Sequence, residues 1–546
     1  MDRRKFIRSL KSEIKANPVV YRTSSGLRKY SPILENAGIH HLLKRTLFGV
    51  NKKDIDMLNG KGINEALDLL LTASPEPLPP VNNYNDSNFT DPNVPAGQTW
   101  VKAVYDGNAN GRRISSFKSW WTGLMLHQET SIHEKMVLFW HNHFATETVD
   151  INDARYIYKH NALLRTHALG NFKQLVKEIS LDPAMLRYLN GYLNNKNSPD
   201  ENYARELQEL FTLGKGPKSN YTESDVKAAA KVLTGYTVNA TTISSSFDPN
   251  RHDTSNKQFS SFYKNAVING QTGTNGALEM DQLLNMIFQQ EEVALYICRR
   301  LYRFFVYYEI DEATETNVIA PLAQTFRNSN YEIKPVLRAL FSSEHFFDPL
   351  NRACMIKSPV DFCVGLCREY NILFPIATDY VNQYYMHDYI RTQASNMQQN
   401  LGDPPSVAGW SAYYQEPQFH ELWINADTLP RRNQFSDIMI GNGYTRNGKK
   451  INIDILTFAD SLSDPSDPNK LINDSLSIIY SIEVTQSVKD FLKSILLSGQ
   501  STDSYWTAAW LTYKSNTGIV VNRTIVLTRL QSMFKYLMNL PEYQLS

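Results

Sequence analysis

Cysteine is scarce in this chain of 546 residues. The four thiols, Cys298, Cys354, Cys363 and Cys367, are too few and too irregularly spaced for a disulfide framework, and no CxxC pair is present to seat a metal. Cys363 and Cys367 stand one helical turn apart and are expected as buried free thiols. An excess of one charge is missing too. Lys and Arg number 56 against 55 Asp and Glu, a formal net charge of +1, so no overall field favours nucleic acid or an anionic membrane surface. No window reaches the roughly 18 apolar residues of a membrane span, and no repeat of solenoid length recurs. Walker loops and the GxGxxG, GxSxG and HExxH motifs are absent as well.

What is present is a globular composition, 42% hydrophobic and 12% aromatic with 30 tyrosines. A chain of this length divides into about two to four packed units. Helical periods run through "NEALDLLL", "SSFKSWWTGLMLHQ", "DARYIYKHNALLRTHALG", "EEVALYICRRLYRFFVYY", "YEIKPVLRALFSS" and "SPVDFCVGLCREYNIL". Ser131 with Glu134, and Thr222 with Asp225, have capping-box spacing. Gly170 and Gly214 sit where helices end, and Pro199 marks a start. Strict two-residue alternation is rare. The expected fold is therefore mainly α, a large multi-helix bundle with irregular loops and at most a small β-hairpin near "TTISSSFDPN" and "SSFYKNAVING". Residues 75–98 and 441–470, rich in Pro, Asn, Asp or Gly, read as loops or boundaries. The expected organisation is a basic segment over 1–37, a main helical domain over 38–440 and a smaller helical part over 441–546. The first residues, "MDRRKFIRSLKSEIKANPVV", have the paired arginines of a twin-arginine export signal. Lys11, Glu13 and Lys15 interrupt the apolar stretch such a signal needs, leaving a basic amphipathic segment.

Three stretches carry residue types suited to chemistry. In "SIHEKMVLFWHNHFATE", His141 and His143 follow an apolar run with no solvated side. Residues two apart on a helix differ by about 200° in direction, so the two rings cannot share one site unless the helix ends or distorts. Each is either a core histidine satisfied by a carbonyl or a ligand or proton carrier. In "SPDENYARELQELFTLGKG", Asn202, Glu206 and Glu209 form a ridge beside the apolar stripe Tyr203, Ala204, Leu207, Leu210 and Phe211, while Glu201 and Arg205 have ion-pair spacing. Two glutamates three apart beside a buried face suit a divalent metal or acid/base work through separated pKa values, the alternative being a solvated charged edge. In "FDPNRHDTSNKQF", His252 and Asp253 lie in a polar loop and are competent as metal ligands or as an acid/base pair. A fourth stretch, "DGNANG" from Asp106, begins like a calcium loop, but position twelve is Phe117 and a turn is the better reading.

These blocks, together with "HHLLKRTLFGV", "DPAMLRYLNG", "YTESDVKAAAKVLTGY", "DPPSVAGW" and "LPEYQLS", resemble the bacterial domain-of-unknown-function family 1800 from about His40 onward. The resemblance implies a large, mostly helical bacterial protein and no settled reaction. It also implies a periplasmic or extracellular location, and relatives encoded beside proteins of the sulfatase and alkaline-phosphatase type. The interrupted export signal is the point of departure. The matching positions are His141, His143, Asn202, Arg205, Glu206, Glu209, His252 and Asp253.

Two functions follow as expectations. One is a metal-dependent or acid/base hydrolase acting on a polar or anionic envelope polymer. In it His143 and Glu206 do the chemistry, Asn202 and Arg205 orient substrate, and His141, Glu209, His252 and Asp253 are available to a divalent metal. The other is a non-catalytic envelope, assembly or glycan-binding protein whose polar residues form a buried hydrogen-bonded network. A haem reading lacks any attachment motif.

Overall fold

The computed structural model describes residues 26–31 and 33–546, so the paired arginines and most of the basic amino-terminal segment lie outside the described residues. Helices dominate, as expected. Those that frame the interior are α1 (Asn36–Thr46), α2 (Gly107–Leu126), α3 (His133–His143), α4 (Ala154–Thr166), α5 (Glu223–Val232), α6 (Glu291–Phe305), α7 (Pro359–Glu369), α8 (Tyr380–Asn396), α9 (Thr428–Ile440) and α10 (Val520–Asn539). Helix α2 lies along α8 and also meets α4 and α7, while α3 packs on α4 and α9 on α10. Among the described residues, the β-strands form three antiparallel two-strand pairs: β1–β2 (Tyr236–Asn239, Ser244–Phe247), β3–β4 (Lys257–Gln258, Val267–Ile268) and β5–β6 (Tyr444–Arg446, Lys449–Ile451). The first two fall where a hairpin was expected. The third lies inside the 441–470 stretch, seated by Tyr444 stacked on Tyr389 of α8 with ring centroids 3.8 Å apart, and helix Ile455–Asp460 follows it.

Helix α3 is buried along its whole length. The run Met136–Trp140 leaves no side for water, and the charged residues at its start need partners because an unpaired buried charge is costly. Glu134 pairs with Arg165 of α4, and Lys135 pairs with Asp361 of α7. This corrects the capping box proposed for Ser131 and Glu134. The helix begins after Ile132 with no side-chain cap, because the Glu134 carboxylate is held by Arg165 and the Ser131 hydroxyl donates to the Thr72 carbonyl. The box at Thr222 and Asp225 is formed at the start of α5. Asp106 opens a helix rather than a turn. Its carboxylate accepts from the Asn108 and Ala109 amides and caps α2. Helix Asn202–Glu206 starts three residues beyond Pro199.

The 75–98 segment is irregular but tied down. Arg113 of α2 grips Asp91 with two bonds of 2.9 Å, the Tyr84 hydroxyl donates to the same carboxylate at 2.8 Å, and the Asn82 amide donates to the Val94 carbonyl at 2.7 Å. The two ends of the described chain are joined as well. Lys44 of α1 donates to the Ile479 carbonyl, Arg45 donates to the Asn351 carbonyl at 3.0 Å and to the Ser546 hydroxyl at 3.4 Å, and Ile356 bridges to Leu545.

Candidate functional site

The two histidines of α3 point to different surroundings, as the 200° argument requires. His141 lies edge-on to Trp121, centroids 5.1 Å apart, and beside Trp410 at 5.7 Å. Its Nε2 is buried with no hydrogen-bond partner, and burial first, then repulsion from His160, lowers its pKa to about 3. His143 faces Phe211, and its Nε2–H donates to the Phe211 carbonyl at 3.0 Å, which leaves Nδ1 as a buried, unpartnered acceptor. Burial, reinforced by the Arg300 cation, holds His143 neutral, with its pKa well below the ordinary value. Between them Asn142 accepts from the Trp410 amide at 2.8 Å. Gly409, with φ of +91°, lies so close that a Cβ there would fall on the Asn142 oxygens.

The carbonyl that His143 captures belongs to an unusual turn. Helix Asn202–Glu206 continues not as an α-helix but as a π-helix over Leu207–Thr212. Side chains from neighbouring elements and from the turn itself take the backbone groups the wider turn exposes. His143 binds the Phe211 carbonyl, the Tyr296 hydroxyl of α6 donates to the Leu210 carbonyl at 3.0 Å, and the Thr212 hydroxyl donates to the Leu207 carbonyl at 2.5 Å. Gly214 then reverses the chain at φ +74°, directly beneath the Tyr296 ring. Single π-turns inside helices are uncommon and are often found at functional sites.

On the outer flank of this turn stand Glu206 and Glu209, both half-buried. Glu209 forms an ion pair with Lys215. Glu206 has no such relief: its Oε2 is buried with no hydrogen-bond partner. Burial, and after it the Glu209 charge, raise its pKa above the usual carboxylate range against the weaker pull of Lys215 and Arg205. Two tyrosines flank the pair. Tyr188 donates to Glu147 at 3.2 Å. Both Tyr188 and Tyr221 have their phenol pKa raised by burial and by the neighbouring carboxylates. Glu147, Tyr188, Lys215 and Tyr221 were not singled out from the sequence. Glu147 closes the very stretch that contains both histidines, and Lys215 follows the turn glycine, so position along the chain was the available signal.

The remaining candidates are placed as follows. Arg205 is occupied by carboxylates, with bonds of 2.6 and 2.7 Å to Glu223 and 3.2 Å to Glu201. Asn202 is exposed, its side-chain amide 3.4 Å from the Leu189 carbonyl. His252 is not in an open polar loop. It is 1% exposed, with Nδ1 3.0 Å from the Thr234 carbonyl and Nε2 3.0 Å from Glu279. Glu279 in turn holds Lys257 at 2.6 Å. Asp253 accepts from the Ser255 amide and hydroxyl. The structure thus joins His143 to the π-turn that carries Glu206 and Glu209, and builds His252 into a separate buried ion network. Among the described residues no group of three or more His, Cys, Asp or Glu side chains is arranged to hold a metal ion. No helix of the described residues is long and apolar enough to cross a membrane. Cys298, Cys363 and Cys367 are buried free thiols, pushed up in pKa chiefly by burial, while Cys354 is partly exposed.

Residues 41–545 match the model of the protein family described as "Protein of unknown function (DUF1800)". The chain belongs to this family. The match takes in every element of the site, from α3 through the π-turn to the Glu279 network, so the site belongs to the family domain itself. No curated protein and no solved structure matches the chain.

Proposed function

We propose that the π-turn carries an acid/base site and that the protein is a hydrolase acting on a polar polymer of the cell envelope or its surroundings. The observation that carries this reading is Glu206: a carboxyl with one buried, unpartnered oxygen and a raised pKa, beside a second carboxylate neutralised by a lysine. A carboxyl whose surroundings raise its proton affinity can divide the work of hydrolysis with an ion-paired neighbour. Glu206 keeps its proton and delivers it to the leaving oxygen. Glu209, ion-paired with Lys215, accepts a proton from the attacking water. Tyr188 and Tyr221 present half-buried rings with hydroxyl tips, a surface suited to a sugar face. His143 does not touch substrate in this scheme. It anchors the Phe211 carbonyl and so positions the turn.

The histidines themselves favour the structural alternative. His141 lies between tryptophans, His143 is spent on a carbonyl, and His252 is locked to Glu279, so the buried polar network and the acid/base site coexist as scaffold and surface. The test is a panel of aryl glycosides, aryl esters and envelope polysaccharides assayed with the native protein and with Glu206→Gln, alongside carbon-13 NMR of the labelled carboxyls. The expected result is turnover of at least one class, a loss of at least about a hundredfold in the variant, and a Glu206 resonance that titrates above the ordinary glutamate range. No turnover of any class, with Glu206 titrating in the ordinary range, would overturn the assignment.

A further inference from the structure

A second cluster lies away from the π-turn, where α1, α3 and α7 meet the carboxyl-terminal residues. Five cationic side chains are buried there: Lys44, Arg45, Lys135, Lys357 and Arg432, at 5, 4, 4, 6 and 0% exposure. Among the described residues two acidic side chains pair with them. Asp361 pairs with Lys135. Glu369 is shared between Lys357 at 3.6 Å and Lys44 at 4.0 Å and also accepts from the Tyr543 hydroxyl at 2.9 Å. Among the described residues, Arg45 and Arg432 hydrogen-bond to neutral groups: carbonyl oxygens of Asn351 and Lys357, the Cys354 sulfur, the Ser546 hydroxyl and the Gln544 amide. Leaving cations in the interior without a counter-charge is costly. Burial accordingly lowers the Lys44 pKa to about 7 and the Arg432 pKa to about 10.

Three of these cations, Lys44, Arg45 and Lys135, line a cavity of about 30 Å³ together with the single acidic side chain Asp361 and with Ser358 and His420. Two donors on its walls are buried and lack an acceptor. Arg45 Nε is one. The other is His420 Nε2: the Ile356 amide donates to His420 Nδ1 at 3.1 Å, which fixes the proton on Nε2, and that nitrogen has no partner. A pocket this small, walled by excess positive charge and unused N–H groups, is short of one thing, a compact acceptor carrying negative charge.

We propose that the cavity binds a small oxyanion, an ion of the phosphate, sulfate or carboxylate type, which Arg45, Lys44 and the His420 Nε2–H hold and which ties α1 to the carboxyl-terminal residues. The site is independent of the acid/base turn.

The test uses the full chain. Thermal unfolding is followed at constant ionic strength as chloride is replaced by phosphate, sulfate or acetate, and ion chromatography identifies any anion released when the native protein is denatured. The expected result is a stoichiometric anion on release, or a concentration-dependent rise in Tm with at least one of the three. Arg45→Gln and His420→Gln should each weaken that binding at least tenfold. Asp361→Asn removes a competing negative charge and should tighten it, a gain that a merely structural role for these residues would not produce. Should Arg45→Gln fail to fold, the other two variants decide. No released anion together with no stabilisation beyond chloride overturns the proposal, as does an unchanged response in His420→Gln and Asp361→Asn.

Discussion

Mild acid should unfold this protein, and the buried histidines set the size of the effect. Burial lowers the pKa of His40, His141 and His387 to about 3 and of His133 and His420 to about 4. A free histidine in the unfolded chain titrates near about 6.5. Above that value both states are neutral and the rings have no effect on stability. As the pH falls below it the unfolded chain takes up protons that the folded protein refuses, so stability is lost from about pH 6.5 down toward the folded values. At pH 5 each ring then costs about 2 kcal/mol, and the five together about 10 kcal/mol, comparable with the whole stability of a typical domain. His41 and His143, also held neutral, add to this in the same direction. The assay is urea denaturation at a series of pH values, with calorimetry in buffers of different ionisation enthalpy to count protons. Unfolding at pH 5 should take up about five protons or more, and His141→Gln should reduce that by about one. A stability that stays level between pH 7 and pH 5, or an uptake below one proton, would refute the reasoning.

Three further outcomes are expected. Asp91→Asn leaves the Arg113 guanidinium, 2% exposed, without its carboxylate. Losing one partner of a buried pair costs about 3–5 kcal/mol, and limited proteolysis should cut between residues 75 and 104 in the variant but not in the native protein. Gly409→Ala drives a methyl group onto the Asn142 oxygens at a backbone angle that alanine tolerates poorly. A loss of about 2–5 kcal/mol should follow, read as a lower Tm, and an unchanged Tm would show that the contact yields. Elemental analysis of the native protein and Glu206→Ala should show no metal whose presence depends on Glu206. Stoichiometric metal lost in the variant would replace the acid/base scheme with a metal-assisted one.

Where sequence periodicity is strong, the structure follows it closely. The helices of the quoted runs form, the capping box at Thr222 forms, and the opposed directions of His141 and His143 follow from helical geometry alone. The π-turn was not legible, because its cause lies in tertiary contacts: the carbonyls of Leu210 and Phe211 are taken by Tyr296 and His143, residues 86 and 68 positions away. The same reason hid the true setting of His252. A run of polar residues looks like an open loop until Glu279, 27 residues later, folds over it and makes the whole group interior. Ser131 and Glu134 have the spacing of a cap, but a buried arginine claims the glutamate, and a local rule yields to a long-range charge. Residues 75–98 were legible as irregular, yet their clamp depends on Arg113, beyond the segment itself.

The seating of α1 bears on how the chain is made. Its lysine and arginine find their partners at Ile479, Asn351 and Ser546, up to 501 residues downstream. A ribosome delivers α1 hundreds of residues before those partners, so during synthesis the helix waits with its cations unanswered. The native arrangement closes only once the turn Pro541–Gln544 and Ser546 have emerged. Such distant pairings slow folding and prolong the time during which apolar surface is open to other chains. Residues 544–546 are a latch on α1 and on the segment 355–357. Trimming them should release the opposite end of the molecule, a defect that would appear far from the cut.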